Sequence, residues 1–283
     1  FSENCNLSSY TTIKVGGVAE YFAEPRSIKE FSYLIKWANL NKQRCQIIGA
    51  GSNLLINNIF IKGLVVCTKK LKSLKIEPYS GIVEAEAGVM LPTLSNSLAK
   101  NGLQGGEWAV GIPGTLGGAI YMNAGTGNLS LAKNLISVKV INNKTHEKLE
   151  IEKKDINFEY RFSSFQRNDL TIISARLHFE PNGNLEKLIQ TTKNNLKLKT
   201  ETQPYHQPSF GSVFKNPENN YAAKLIDDMG LKGFKIGGAE ISTMHSNFII
   251  NTSSASSKDI YELITVIQQK VLQKKGIYLQ PEV

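Results

Sequence analysis

Apolar positions along this chain change period several times, and each change marks an element. Residues 17–25 (GVAEYFAEP) alternate apolar and polar and stop at Pro25, which predicts a strand. Beyond it the period becomes helical, with Phe31, Leu34, Ile35 and Ala38 on one face and Ser27 with Glu30 as a capping-box signature. A short apolar run, CQIIG at 45–49, predicts a buried strand that enters a glycine-rich turn. Strand-like segments follow at IKGLVVC, GIVEAEAGV (Glu84 and Glu86 on one face), ISVKVIN and TIISARLHF. Helices are predicted at 91–101, closed by Gly102, and in the small-residue segment 117–125.

Beyond PNGN (181–184) the texture changes, and a domain boundary is placed near 183. A Lys/Asn-rich amphipathic helix is expected over 185–200, then a proline-bounded loop, QPYHQPSFGSVFKNP. A helix at 221–229 should end at Gly230, and a strand is read at HSNFIIN. A long helix carrying Ile260, Leu263, Ile264, Ile267 and Val271 should end at Gly276, followed by IYL.

Composition narrows the function classes. With 41% hydrophobic and 20% charged residues in 283, the chain is an ordinary globular one of two or three small domains. No apolar run is long enough to span a bilayer, and FSENCNLSSY shows neither a basic nor an apolar leader region, so no secretory signal is expected. Cys5, Cys45 and Cys67 are scattered and odd in number, which points to a reducing cytoplasm rather than a disulfide scaffold. Four dispersed histidines offer no metal-ligand spacing. The net charge of +9 is spread along element faces without interleaved aromatics, which argues against nucleic acid and leaves solubility or a polyanionic small ligand.

Two glycine-rich stretches carry the first chemical signal. Residues 49–54, Gly49, Ala50, Gly51, Ser52, Asn53 and Leu54, follow a strand and suit either a plain tight turn or a nest of N–H groups around a phosphate. There is no third glycine for a dinucleotide fingerprint and no Gly-Lys-Ser/Thr for a P-loop. The second stretch, GIPGTLGGAIYMNAG at 111–125, holds five glycines and no charge. Alone it reads as a closely packed loop and short helix. Together the two fit a diphosphate joined to a large planar ring, as in a flavin dinucleotide, with ligand atoms standing where side chains are missing.

Three polar groupings remain. Arg161, within YRFSSFQ (160–166), is either a solvated loop residue or a held cation for a carboxylate. Ser212, in GSVFKNP, either caps a turn or offers its hydroxyl to a ligand. Glu282, in the terminal LQPEV, has no special meaning by itself. No G-x-S-x-G elbow and no Ser-His-Asp set is present, so a hydrolase is rejected.

Taken in order, IIGAGSNLLI, GIPGTLGGAIYMNAG, YRxSxF, PSxGSxFKNP, LKGxxIGGAxIS, HxNFIIN and the final PEV resemble the UDP-N-acetylenolpyruvoylglucosamine reductase family, flavoenzymes of bacterial peptidoglycan synthesis. The resemblance covers nearly the whole chain and is to the family's shorter subtype. It implies an α+β architecture: an FAD-binding fold of the vanillyl-alcohol-oxidase type in two subdomains, 1–67 and 68–183, and a UDP-sugar domain at 184–283. It implies FAD as bound cofactor and NADPH as co-substrate. By the same resemblance, residues 49–54 would hold the FAD diphosphate, and Gly111, Ile112, Pro113, Gly114, Gly117, Asn123, Ala124 and Gly125 would line the ring and adenosine. Asn216 and Lys232 would contact the UDP-sugar, and Arg161, Ser212 and Glu282 would be catalytic.

The implied reaction passes a hydride from flavin N5 to the enolpyruvyl methylene carbon. Arg161 would hold the substrate carboxylate, Ser212 would give the proton, and Glu282 would carry its own proton beside the developing anion. A monomer without metal, nucleic-acid or membrane partners is expected. The competing readings are another flavoprotein of this fold acting on a small alcohol or hydroxy acid, and a non-catalytic nucleotide- or RNA-binding module.

Overall fold

The computed structural model describes residues 1–283 and has the mixed composition of an α+β protein. Six α-helices occur: α1 (Ile28–Leu40), α2 (Leu91–Lys100), α3 (Leu116–Tyr121), α4 (Leu185–Thr202), α5 (Ala222–Asp227) and α6 (Ser257–Lys275). The chain divides into two compact units that interleave in sequence: residues 1–4, 20–50 and 62–197, and residues 5–19, 51–61 and 198–283. This differs from three consecutive domains with a boundary near 183. Two early segments group with the C-terminal part, which a linear scan of composition does not register.

The first unit holds two principal sheets, two short two-stranded ribbons and two cores. In the smaller sheet, Cys45–Ile48 runs parallel to Phe60–Cys67, and α1 packs Phe31, Leu34, Ile35 and Ala38 into a cluster with Leu64, Val66 and Leu71. The expected capping box at α1 is half formed. Ser27 accepts from the Glu30 N–H, but the Glu30 carboxylate takes the N–H of Arg26, one residue before the cap. The larger sheet is an antiparallel five-stranded one, ordered Lys148–Glu152, Leu135–Asn142, Leu170–His178, Ile82–Glu86, Leu74–Glu77. Its inner face joins α2 and α3 in a core that includes Val83, Ala85, Leu94, Leu98, Leu116, Ile120, Val138 and Leu177. Glu84 and Glu86 do share the polar face.

The second unit is built on an antiparallel sheet ordered Ser209–Ser212, Phe248–Asn251, Ala239–Ile241, Lys235–Ile236. α6 covers it with the predicted stripe of Ile260, Leu263, Ile264, Ile267 and Val271, against Phe210, Phe214, Ile241 and Ile249. A full capping box, Ser256 with Asp259, starts α6, and Gly276, left-handed at φ 67°, ends it. Beyond it, residues 277–279 are irregular, and Leu279 is a buried anchor.

Burial raises both strand thiols of the first sheet, Cys67 in direction and Cys45 to about 12. Both are therefore protonated at neutral pH, and Cys45 is expected to resist a thiol reagent at pH 8 until the protein is unfolded. Fast labelling of native Cys45 would contradict this. The linkage sign follows. The unfolded thiol ionises before the folded one, so the folded state loses stability as pH climbs from the ordinary thiol range toward 12.

Candidate active site

In the first unit, the parallel neighbours Cys45–Ile48 and Phe60–Cys67 need a crossover, and residues 49–59 provide one without a helix. The start of this crossover is pinned by its carbonyls. Thr68 Oγ1 donates to the Ile48 carbonyl (3.2 Å) and Cys67 Sγ to that of Gly49 (3.4 Å). In a trans peptide the C=O and the following N–H point oppositely, so the N–H groups of Gly49 and Ala50 turn away from these donors. In the second unit, Gly51 is left-handed at φ 65°, and its carbonyl accepts from the Thr12 N–H at 3.1 Å. The N–H of Ser52 points away from Thr12 by the same rule.

The glycines themselves answer a different need from the one expected. A Cβ on Gly49 would lie 2.3 Å from Thr115 Oγ1, one on Gly51 2.0 Å from the Tyr10 carbonyl oxygen, and one on Gly117 2.9 Å from Ala87 Cβ. On Gly125 it would meet the Leu129 carbonyl oxygen at 2.1 Å. At these four positions the protein's own atoms, not a ligand's, occupy the space: a side chain beside Gly49 and Gly117, a main-chain carbonyl beside Gly51 and Gly125. The notion that ligand atoms stand in for all the missing side chains is corrected accordingly.

The 111–125 stretch still leaves a surface for a flat ring. It is held along residues 87–91 by hydrogen bonds from Leu116 to Val89, Gly117 to Ala87, and Leu91 to Gly114. Leu116, Ala119 and Ile120 are buried below, while Pro113 and Gly118 are exposed and Ile112 and Gly114 half-buried. A Cβ on Gly118 would have nothing closer than 3.6 Å. Asn123 is left-handed at φ 44°. Its amide nitrogen donates to the Glu159 carbonyl at 2.9 Å, while its Oδ1 is buried without a partner. An uncharged, side-chain-poor surface beside an orphaned buried acceptor fits the face and N–H edge of a flavin ring.

Arg161 lies in the same unit. It is a non-glycine residue at φ 56°, half-buried, with Nη2 donating to the Gly125 carbonyl at 3.1 Å and its guanidinium 5.1 Å from the centre of the Tyr160 ring. Left-handed backbone at such a residue is uncommon and concentrates at functional positions. Ser163 is fully buried and donates to the Tyr121 carbonyl at 2.7 Å. The YRFSSFQ motif is therefore bonded to the 121–125 stretch, an association that sequence spacing does not show.

In the second unit, Ser212 ends the strand Ser209–Ser212, where the register against Phe248–Asn251 slips. The bulge has Gly211 at φ 81° with open space around it, and it re-aims the residue that follows. The chain end returns to this place. Glu282 N–H donates to the Val213 carbonyl (2.8 Å), Lys215 N–H to that of Gln280 (2.9 Å), and Phe214 bridges Pro281. Asn53 Nδ2 donates to the Glu282 carbonyl at 3.1 Å, so this side chain orders the chain end. Ser212, Glu282 and Asn53 are thus brought together. Asn216 and Lys232 hold other posts. Asn216 Oδ1 accepts from the Ala222 N–H at the start of α5, and Lys232 Nζ is 3.1 Å from each carboxylate oxygen of Asp227.

Asn247 was not singled out by the sequence reading, although it lies in HSNFIIN. It is buried, and its side chain accepts from Phe214 N–H (3.0 Å) and donates to the Phe214 carbonyl (2.9 Å). Its own carbonyl accepts from Val213 N–H. It thereby fixes the main chain that follows Ser212.

Comparisons with known proteins agree along the whole chain. A family model described as "FAD binding domain" matches residues 19–147, and one described as "UDP-N-acetylenolpyruvoylglucosamine reductase, C-terminal domain" matches residues 203–283. A curated UDP-N-acetylenolpyruvoylglucosamine reductase from Prochlorococcus marinus subsp. pastoris is 73% identical over 283 residues, covering 100% of this chain and 96% of that protein. The protein of the same name from another Prochlorococcus marinus strain is 48% identical over 281 residues, covering 99% and 96%. The solved structure of the UDP-N-acetylenolpyruvylglucosamine reductase of Thermus caldophilus superposes with a TM-score of 0.81 at 30% identity, covering 98% of this chain and 96% of that one.

Proposed function

The chain belongs to the UDP-N-acetylenolpyruvoylglucosamine reductase family of FAD-dependent oxidoreductases, and from that premise we propose that it reduces UDP-N-acetylglucosamine enolpyruvate to UDP-N-acetylmuramate with NADPH as reductant. The observation that carries the catalytic assignment is the return of the chain end to the Ser212 bulge, through the Glu282 to Val213 hydrogen bond. The return forms one isolated bridge, at Phe214 and Pro281, and sets Glu282 beside the residue that follows Ser212.

Residues 49–54 would hold FAD and 111–125 would line it, and the cofactor would supply hydride chemistry at the substrate's methylene carbon. The protein's own groups do the rest. Arg161 binds the substrate carboxylate and stabilises the negative charge that develops on the enol acid. The Ser212 hydroxyl delivers a proton to the carbon that bears the carboxylate. A serine is a weak acid, but an enolate-like carbon is strongly basic, and fixed geometry suffices. Glu282 works in its protonated form and donates a hydrogen bond toward the anion. Lys232, steadied by Asp227, and Asn216, steadied by α5, orient the UDP-sugar. Three free thiols suit work in a reducing cytoplasm.

The experiment is a spectral titration of the holoenzyme. Anaerobic NADPH is expected to bleach the flavin band, and the enolpyruvyl sugar to restore it with one lactyl ether formed per flavin. A reduced flavin that ignores the sugar but is reoxidised by small ketones would overturn the substrate assignment in favour of an alcohol or hydroxy-acid oxidoreductase.

A further inference from the structure

Arg161 holds an unusual main-chain conformation, and the groups that could impose it are few. The 3-10 turn Ser164–Arg167 carries the chain back, so that the Gln166 amide lies over the start of its own motif. Gln166 Nε2 donates to the Tyr121 carbonyl at 2.8 Å and lies 3.4 Å from the carbonyl of Arg161 itself, with Met122 Sδ at 3.7 Å. The Tyr121 carbonyl is thus doubly engaged, because Ser163 Oγ also donates to it. Arg167 closes the turn from the other side, its guanidinium 4.7 Å from the centre of the Phe162 ring. One amide group therefore touches both the residue at φ 56° and the segment whose Gly125 carbonyl holds the guanidinium.

We infer that Gln166 is a positioning residue: its amide locks the Arg161 backbone in the left-handed state and so aims the guanidinium. The inference rests on Arg161 binding the substrate carboxylate. The role calls for N–H donors, which the amide supplies. Both of its N–H groups are donors, both targets are carbonyls, and a carboxylate of the same shape would repel them. Without the clamp the left-handed backbone, unfavourable for a side chain with a Cβ, relaxes, and the guanidinium swings off its aim. Loss of hydrogen bonds of this kind corresponds to about a tenfold loss of affinity.

The test uses the dithionite-reduced holoenzyme, mixed with the enolpyruvyl sugar while flavin reoxidation is followed. Gln166→Ala and Gln166→Glu are expected to raise the half-saturating sugar concentration about tenfold at pH 8. For Gln166→Glu alone the loss should shrink on lowering the pH toward ~4, the ordinary titration range of a glutamate, where a protonated carboxyl regains one donor, whereas Gln166→Ala should show no such recovery. Gln166→Lys, which brings N–H donors on a longer stem, should restore half-saturation to within about threefold. Unchanged half-saturation in the first two variants, or the same pH profile in both, overturns the clamp. Arg161→Ala distinguishes the levels: if it too leaves half-saturation unchanged, the carboxylate role of Arg161 fails, whereas a loss there with intact Gln166 variants sinks only the clamp.

Discussion

Ser212→Ala slows reoxidation of the reduced flavin by the enolpyruvyl sugar about 10²–10⁴-fold, the usual effect of removing a general acid, while NADPH still reduces the flavin at its normal rate. The asymmetry is the informative part, because a proton is needed only where the substrate carbon becomes basic. The bulge that aims Ser212 depends on Gly211 and on the slipped register, neither of which uses the hydroxyl, so the variant keeps its fold. Rapid-mixing absorbance of the two half-reactions, measured separately, checks it. Equal slowing of both would mean that the serine shapes the site and does not protonate. Exchange into deuterated water should add a solvent isotope effect to the parent's reoxidation and leave its reduction unmoved.

Asn247→Ala has the second large effect, on stability and activity together. Its amide completes both the donor and the acceptor of Phe214, a residue 1% exposed, so truncation strands two buried main-chain groups. Each stranded group costs about 1–3 kcal/mol, and a loss of about 3 kcal/mol is the expected sum after partial rehydration. Urea denaturation should show a lower midpoint with an unchanged slope. Asn247→Asp keeps the acceptor for the Phe214 N–H but loses the donor, and should fall between the two. Because Val213 also accepts from Glu282, loosening this loop also frees the chain end, and reoxidation should slow in the surviving folded fraction. A midpoint within experimental error of the parent's would show that Phe214 finds other partners.

Local patterns sufficed wherever burial follows a period. The α6 stripe, the Gly276 cap, the two-sided strand with Glu84 and Glu86, and the amphipathic α1 are all set by residues within a few turns of one another. The ordered motifs also sufficed for the family. What they could not supply was the identity of the contacts.

The sequence by itself determined the α+β class, most of the elements and the family, because these follow from short-range periodicity and from motifs in order. Tertiary structure alone decided that residues 5–19 and 51–61 group with the C-terminal part, that Gly49 and Gly51 yield space to Thr115 and Tyr10, and that Glu282 returns to Ser212. It also decided that Gln166 grips Arg161. Each of these joins residues through a hydrogen bond or a close main-chain approach whose partner is chosen by the packing of whole sheets. Such a choice leaves no periodic trace in either partner's own neighbourhood.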